Sequence, residues 1–142
     1  ILHTGDWKFD KTPMLGEDTD RERLRQIGDE GVLALIGDST NAMVDGHTLS
    51  EVVAMQGLTD VIAEAEGLVA VTCFASNVAR LESIIAAAVA NSRSVCVVGR
   101  ALNRTIGAAR DSGYLSNIPD FVTESEVSLI PRNHMVVICT GS

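Results

Sequence analysis

Short apolar runs rich in β-branched residues alternate along the chain with longer segments of helical periodicity. Four runs are apolar almost throughout, at residues 32–36, 68–74, 94–98 and 135–140. This pattern is typical of strands that are covered on both faces of a sheet. The opening residues 1–4 predict a further strand, which ends in Gly5 and Asp6.

The segments between these runs have apolar residues at helical spacing. Predicted helices span residues 20–27, 49–65, 77–91 and 102–112. Glu51 lies in a first turn, where the helix dipole favours an acid, and Asn77 is a candidate N-cap. Gly28 and Gly113 are predicted C-terminal stops.

Strand and helix alternate, so the predicted fold class is α/β, with a mainly parallel sheet and flanking helices. We expect the run 32–36 to join the later strands in one sheet. Segment 7–18, with Pro13, is predicted to be an irregular loop. Segment 116–133, with Pro119 and Pro131, is predicted to contain at most a short edge strand.

Composition indicates a folded domain. Hydrophobic residues make up 46% of the 142 residues and charged residues 21%, which is enough apolar material for a core. No run is long enough to span a membrane, and the first residues do not resemble a signal peptide. The chain starts at Ile1 rather than Met, and we expect it to be a piece of a longer protein.

The net charge and the positions of the cysteines bear on the binding partners and the cellular location of the protein. The net charge of -8 disfavours nonspecific binding to nucleic acid or anionic lipid, although a cleft can be locally basic or lined by metal. Cys73, Cys96 and Cys139 each lie in an apolar run, which suits reduced, buried thiols better than disulfides. A cytoplasmic location is therefore expected.

Small polar residues follow nearly every predicted strand. These strand ends are residues 5–6, 37–41, 74–77, 99–103 and 140–142. In a parallel sheet the carboxyl ends of the strands form the usual ligand-binding edge, and hydroxyl, amide and carboxylate groups there suit a phosphate or a cation. The alternative is that residues such as Asp38, Ser39, Asn77 and Asn103 only cap helices.

Several familiar site motifs are absent from the sequence. His3, His47 and His134 are too widely spaced for a zinc motif, and the cysteines lack the Cys-x-x-Cys spacing. There is no Gly-x-Gly-x-x-Gly, Walker or Gly-x-Ser-x-Gly sequence. Dinucleotide binding and serine hydrolase chemistry are therefore disfavoured.

The strand ends, taken in order, resemble the middle of the ribonuclease J family, a β-CASP group of the metallo-β-lactamase superfamily. The resemblance rests on His3-Thr4-Gly5-Asp6-Trp7-Lys8-Phe9-Asp10, Gly37-Asp38-Ser39-Thr40-Asn41, Phe74-Ala75-Ser76-Asn77, Gly99-Arg100 and Cys139-Thr140-Gly141-Ser142. It implies a metal-dependent ribonuclease with 5'-3' exonuclease and endonuclease activity in RNA processing and decay.

The resemblance also implies roles for single residues. Asp6 would be a metal ligand, since a carboxylate can bridge two zinc ions. Asp38 would be a catalytic acid that orients a histidine from later in the family sequence. Ser76 and Asn77 would contact RNA phosphate, and Arg100 would be a charge partner for the substrate.

The resemblance implies that most zinc ligands lie outside this chain. We therefore expect the chain to hold no zinc tightly and to be inactive alone, with RNA bound by the parent enzyme. Residues 1–47 would be part of a metallo-β-lactamase core and 48–142 part of a β-CASP domain. Uncovered apolar surface would favour a homo-oligomer.

Two other readings stay open on the residues alone. The first is an α/β module that binds a nucleotide or phosphate without catalysis. The second is a structural domain whose polar strand ends serve only as helix caps.

Overall fold

The computed structural model describes residues 1–141, which form two compact units. The first unit, Ile1–Ser50, is built from a two-stranded sheet and one helix. Its elements are β1 (Leu2–Gly5), α1 (Arg21–Glu30) and β2 (Leu35–Gly37). The two strands are parallel, with Leu2 opposite Leu35 and His3 opposite Ile36.

The second unit begins at Glu51 and contains the larger sheet. Its elements are α2 (Glu51–Glu64), β3 (Val69–Cys73), α3 (Val78–Ala90), β4 (Ser94–Val98), α4 (Arg100–Asp111) and β5 (Met135–Thr140). Two short 3-10 helices, Val127–Leu129 and Arg132–His134, precede the last strand. The strand order is β3-β5-β4 and both pairings are parallel, so β5, the last strand in the sequence, lies in the middle of the sheet.

The buried core lies in this second unit. Its fully buried side chains come from α2, α3 and α4 and from strands β4 and β5, and include Ile62, Leu81, Ile84, Ile85, Val95, Leu102, Val136 and Ile138. Burying a side chain of this size stabilises a fold by about 1.5 to 3 kcal/mol. The core therefore accounts for the stability of the unit that carries β3, β4 and β5.

The α/β fold class with parallel sheets and flanking helices is confirmed. The predictions for residues 94–98 and 135–140 match β4 and β5. β3 is covered on one face only, because Ala70 and Thr72 are exposed, and Phe74 beyond it is 81% exposed. The prediction of burial on both faces is thus wrong for this strand, whose second face carries the exposed Ala70 and Thr72.

The prediction for residues 32–36 is wrong in three respects. The strand there is Leu35–Gly37, it pairs with β1 rather than with the later strands, and its residues are exposed. Leu33 is 93% exposed and Leu35 67%. The small first unit provides no second layer over these side chains, so apolar composition alone did not predict their burial.

Helix ends agree with sequence signals at some positions and differ at others. Asn77 caps α3, since its Oδ1 accepts the Arg80 N–H at 2.9 Å. Gly28 does not end α1; the helix continues to Glu30, and Gly31 with a φ of 96° terminates it. The positive φ is readily adopted by glycine, which explains why the later glycine is the stop.

The irregular segments follow the sequence predictions, whereas the prediction of buried cysteines is confirmed for Cys96 alone. Residues 7–18 form neither helix nor strand, and in segment 116–133 only Val122 makes a strand-like bridge, to Cys96. All three cysteines are free; Cys96 is buried, whereas Cys73 and Cys139 are half-buried. Burial raises the pKa of the Cys73 and Cys96 thiols.

Candidate functional site

Two acidic residues lie at neighbouring strand ends in the first unit. Asp6 directly follows β1 and Asp38 directly follows β2. Because the strands are parallel and paired, both residues lie at the same edge of the small sheet. They line one open cleft of about 390 Å³, which is bordered by Asp6, Trp7, Lys8, Asp38, Thr40 and Asn41.

A tight turn after β2 fixes the Asp38 carboxylate. Its Oδ1 accepts hydrogen bonds from the Thr40 backbone N–H at 2.9 Å and from the Thr40 hydroxyl at 2.5 Å. These bonds hold the pKa of Asp38 below its ordinary value, with the hydroxyl bond as the larger cause. No helix follows this turn, so Asp38 is not a helix cap.

Trp7 joins the two strand ends. Its indole Nε1–H donates to the carbonyl oxygen of Asp38 at 3.1 Å. A Cβ on Gly37 would lie 3.0 Å from Thr4 Oγ1, a contact that the threonine side chain would have to relieve by a small shift, and 3.7 Å from Trp7 Nε1, which is an ordinary contact. Trp7 belongs to the sequence motif around Asp6 but was assigned no role, although an aromatic residue directly after Asp6 was a usable signal in a chain with only 4% aromatic residues.

The remaining predicted site residues lie in the second unit. Ser76 is exposed. Asn77 is half-buried and caps the first turn of α3. Arg100 is exposed and is the first residue of α4, which begins earlier than the predicted residue 102. Ser76 and Arg100 follow β3 and β4, whose carboxyl ends lie at one edge of the three-stranded sheet. The predicted strand-end residue Ser142 lies outside the described residues.

Capping thus explains only part of the polar strand ends. The Asn77 side chain does cap a helix, as the structural alternative requires. Asn103 lies inside α4, and its Nδ2 donates to the Gly99 carbonyl at 3.0 Å. Asp6, Ser76 and Arg100 are exposed at the strand ends.

An ion pair that was not predicted from the sequence lies beside the Asn77 cap. Arg80 Nε and Nη2 donate to the two carboxylate oxygens of Glu51 at 2.8 and 2.9 Å. Hydrogen bonding to Glu51 is the main cause that raises the pKa of Arg80. The pair joins the first turns of α2 and α3, which residue spacing alone did not indicate.

Metal-ligand chemistry is limited in the part of the chain that the structure describes. Within residues 1–141 there is no group of three or more His, Cys, Asp or Glu residues placed to hold a metal ion. Asp6 is exposed on the cleft and offers a carboxylate, which fits one position in the coordination of zinc.

Comparison with known proteins identifies the family of this chain. The family described as "Ribonuclease J, beta-CASP domain" matches residues 66–142, more than half of the chain. The chain belongs to the ribonuclease J family. The match covers β3, α3, β4, α4 and β5, and so includes the strand ends with Ser76, Asn77 and Arg100.

Curated members of the ribonuclease J family are similar over the whole chain. Ribonuclease J of Sinorhizobium meliloti is 48% identical over 142 residues, which is 100% of this chain and 25% of that protein. Ribonuclease J of Synechocystis is 40% identical, with 100% of the chain and 22% of that protein covered. Ribonuclease J2 of Bacillus subtilis is 36% identical, with 100% and 26% covered.

The chain therefore spans about a quarter of the length of the ribonuclease J proteins that it matches. Within the described residues, no helix is both long and apolar enough to cross a membrane. The roles of Asp6, Asp38, Ser76, Asn77 and Arg100 remain predictions from the resemblance.

Proposed function

We propose that this chain is part of a metal-dependent ribonuclease that hydrolyses RNA phosphodiesters. The observation that carries the proposal is the shared cleft of Asp6 and Asp38, in a chain of the ribonuclease J family. Two exposed acids beside one opening suit a site that handles cations and positions a proton-transfer group. RNA is the proposed substrate and partner of the whole protein.

In this proposal each acid has a separate task. Asp6 supplies one carboxylate ligand to zinc, and the other ligands come from parts of the protein beyond this chain. When bound, zinc polarises the phosphate and lowers the pKa of water. Asp38, whose pKa is lowered by Thr40, stays ionised and orients an imidazole supplied elsewhere in the protein.

The second unit would provide the RNA-facing wall. Ser76 offers an exposed hydroxyl and Arg100 an exposed guanidinium at the ends of β3 and β4. These donors suit phosphate oxygens. Asn77 keeps its Oδ1 on the α3 cap, which leaves its Nδ2 amide hydrogens as the donors proposed to meet RNA.

The proposal extends to the organisation and setting of the protein. Residues 1–47 would belong to a metallo-β-lactamase core and residues 48–142 to a β-CASP domain. The whole protein would act as a 5'-3' exonuclease and endonuclease in the cytoplasm, as a homo-oligomer. The exposed apolar side chains Leu33 and Met43, 93% and 96% exposed, support association with further protein surface.

The decisive experiment compares two isosteric substitutions in the whole protein. Asp6→Asn removes the proposed ligand, and Asp45→Asn removes the same charge from an exposed acid that does not line the cleft. With zinc or manganese and 5'-monophosphorylated RNA, we expect Asp6→Asn to abolish hydrolysis and Asp45→Asn to retain it. Equal activity in the two variants would contradict the role of Asp6.

The 142-residue chain provides the complementary test. We expect no RNA turnover above a chelated control, because most ligands are absent from this chain. Turnover by the chain would contradict the proposed inactivity. Mononucleotide binding with a submillimolar Kd that is the same with and without chelator, and that is unchanged by Asp6→Asn, would favour the nucleotide-binding module instead.

A further inference from the structure

The contact between Trp7 and Asp38 joins parts of the chain that are far apart in sequence. Trp7 is the residue next to Asp6, and its indole N–H donates to the Asp38 carbonyl oxygen at 3.1 Å. The two acids are thus held through one hydrogen bond that runs from the β1 end to the β2 end. Backbone pairing alone does not reach them, since both residues lie beyond their strands.

The orientation of the indole ring is itself fixed by neighbours. The Trp7 and Phe9 rings meet edge to face, with centroids 4.9 Å apart and planes at 83°. The Arg21 guanidinium lies over Phe9 at 4.7 Å from the ring centroid. Such aromatic and cation-π contacts contribute about 0.5 to 1.5 kcal/mol each. Contacts of this strength are enough to favour one orientation of the indole ring.

Burial alone does not require a tryptophan at position 7. The side chain is 50% exposed and Phe9 is 43% exposed, and no described residue of the first unit is buried. The buried half of the side chain stabilises the fold through area removed from water, but phenylalanine would supply much of the same area. Its directed N–H group is the feature that a smaller apolar residue would not supply.

We propose that Trp7 is a positioning residue, which holds the Asp38 turn against the β1 end so that Asp6 and Asp38 keep a fixed separation across their cleft. The inference rests on the proposed function, because it assigns the separation a role in RNA hydrolysis. Displacement of reacting groups by about 1 Å can cost roughly a hundredfold in rate. Loss of the N–H should therefore lower kcat more than it alters RNA binding.

The sharpest test replaces the N–H group alone. In the whole protein, β-(3-benzothienyl)alanine at position 7 keeps the ring shape but has sulfur in place of N–H, and 7-azatryptophan keeps the N–H. We expect the sulfur analogue and Trp7→Phe to lower kcat by roughly ten- to a hundredfold, with KM changed less than about twofold. The 7-azatryptophan protein should retain the kcat of the unsubstituted enzyme.

A control removes a polar group from a different aromatic side chain of similar exposure. Tyr114 lies in the second unit and is 46% exposed, so Tyr114→Phe should leave kcat and KM unchanged. Urea unfolding should show that the sulfur-analogue protein is fully folded under the conditions of the assay. Unchanged kcat with the sulfur analogue, or a kcat loss that follows a loss of folded protein, would overturn the proposal.

A second measurement does not depend on activity. This measurement uses the 142-residue chain. Trp7 is its only tryptophan, so the indole N–H gives one ¹⁵N resonance. We expect hydrogen exchange at this group to be about fivefold slower than in a short peptide, the equivalent of ~1 kcal/mol. In Trp7→Phe the amide resonances of Thr40 and Asn41 should shift; free exchange and unshifted resonances would overturn the proposal.

The two measurements separate this inference from the proposed function. If the unsubstituted protein has no metal-dependent RNA hydrolysis, the proposed function fails and the resonance measurement alone judges whether Trp7 holds the strand ends. If hydrolysis occurs and the sulfur analogue is fully active, the proposed function stands and the inference about Trp7 fails.

Discussion

The guanidinium of Arg93 donates to the carbonyl oxygen of Ile62 at 2.9 Å. It also donates to the carbonyl oxygens of Gly67, at 2.6 Å, and of Ala65. These acceptors lie at and just beyond the end of α2, whose last turn contains no basic residue. Arg93 is 7% exposed, so a buried side chain just before β4 satisfies the carbonyl groups left over at the end of a distant helix.

Removal of this side chain should destabilise the second unit. In Arg93→Ala the carbonyl oxygens of Ile62, Ala65 and Gly67 lose their donor, and the first of these bonds is buried, so we expect the free energy of unfolding to fall by about 3 kcal/mol. Arg93→Lys should recover only part of the loss, because one ammonium group cannot reproduce the planar fork. Urea unfolding measures both; equal stability of Arg93→Ala and the unsubstituted chain would contradict this role.

The Thr40 hydroxyl should control the acidity of Asp38. Thr40→Val removes the larger of the two hydrogen bonds that lower this pKa, and we expect the pKa to rise toward its ordinary value of 3.8. NMR titration of the carboxyl carbon measures the change. Thr123→Val is a matched control, because it should raise the pKa of Glu126 for the same reason and leave Asp38 unaffected.

The same shift has a defined effect on stability. The pKa of Asp38 is lower in the folded state than in the unfolded state, so its contribution is fully present above the unfolded value of 3.8. The contribution is lost as pH falls through the folded pKa. The difference in unfolding midpoint between the unsubstituted chain and Thr40→Val should therefore shrink below about pH 4; a difference that grows there would contradict the assignment.

Substitutions at Asn77 should separate its cap from its proposed contact with RNA. Asn77→Ala should lower the free energy of unfolding by about 1 kcal/mol, whereas Asn77→Asp keeps an acceptor for the Arg80 N–H and should retain stability. In the whole protein, Asn77→Asp should weaken RNA binding, because a carboxylate has no amide donor and repels phosphate. RNA affinity equal to that of the unsubstituted protein would contradict the proposed contact with RNA, and capping α3 would then be the role of Asn77.

The ion pair of Glu51 and Arg80 should couple the first turns of α2 and α3. Both side chains are partly shielded, with 17% and 37% exposure, and the geometry is bidentate. We expect a coupling energy of about 1 kcal/mol in a double-mutant cycle of Glu51→Gln and Arg80→Met, with water screening part of the attraction. Additive effects of the two substitutions would contradict the coupling.

Local signals in the sequence predicted much of the second unit. Continuous apolar character marked β4 and β5, and the Asn77 cap marked the start of α3. The same signal failed at residues 32–36, because apolar composition indicates a preference for burial but does not supply the layer that buries it. Proximity of Asp6 and Asp38 required the pairing of β1 with β2, which periodicity did not specify.

The sequence by itself determined the α/β class, the bounds of β4 and β5, and the small polar residues at the strand ends, because these depend on neighbours within a few positions. Only the tertiary structure decided that β2 pairs with β1, that Trp7 bonds to the Asp38 carbonyl and that Arg93 completes the end of α2. These contacts join residues about thirty positions apart. Such contacts depend on how the chain turns back on itself. Local hydrophobic periodicity predicts helices and strands but does not specify which of them come into contact.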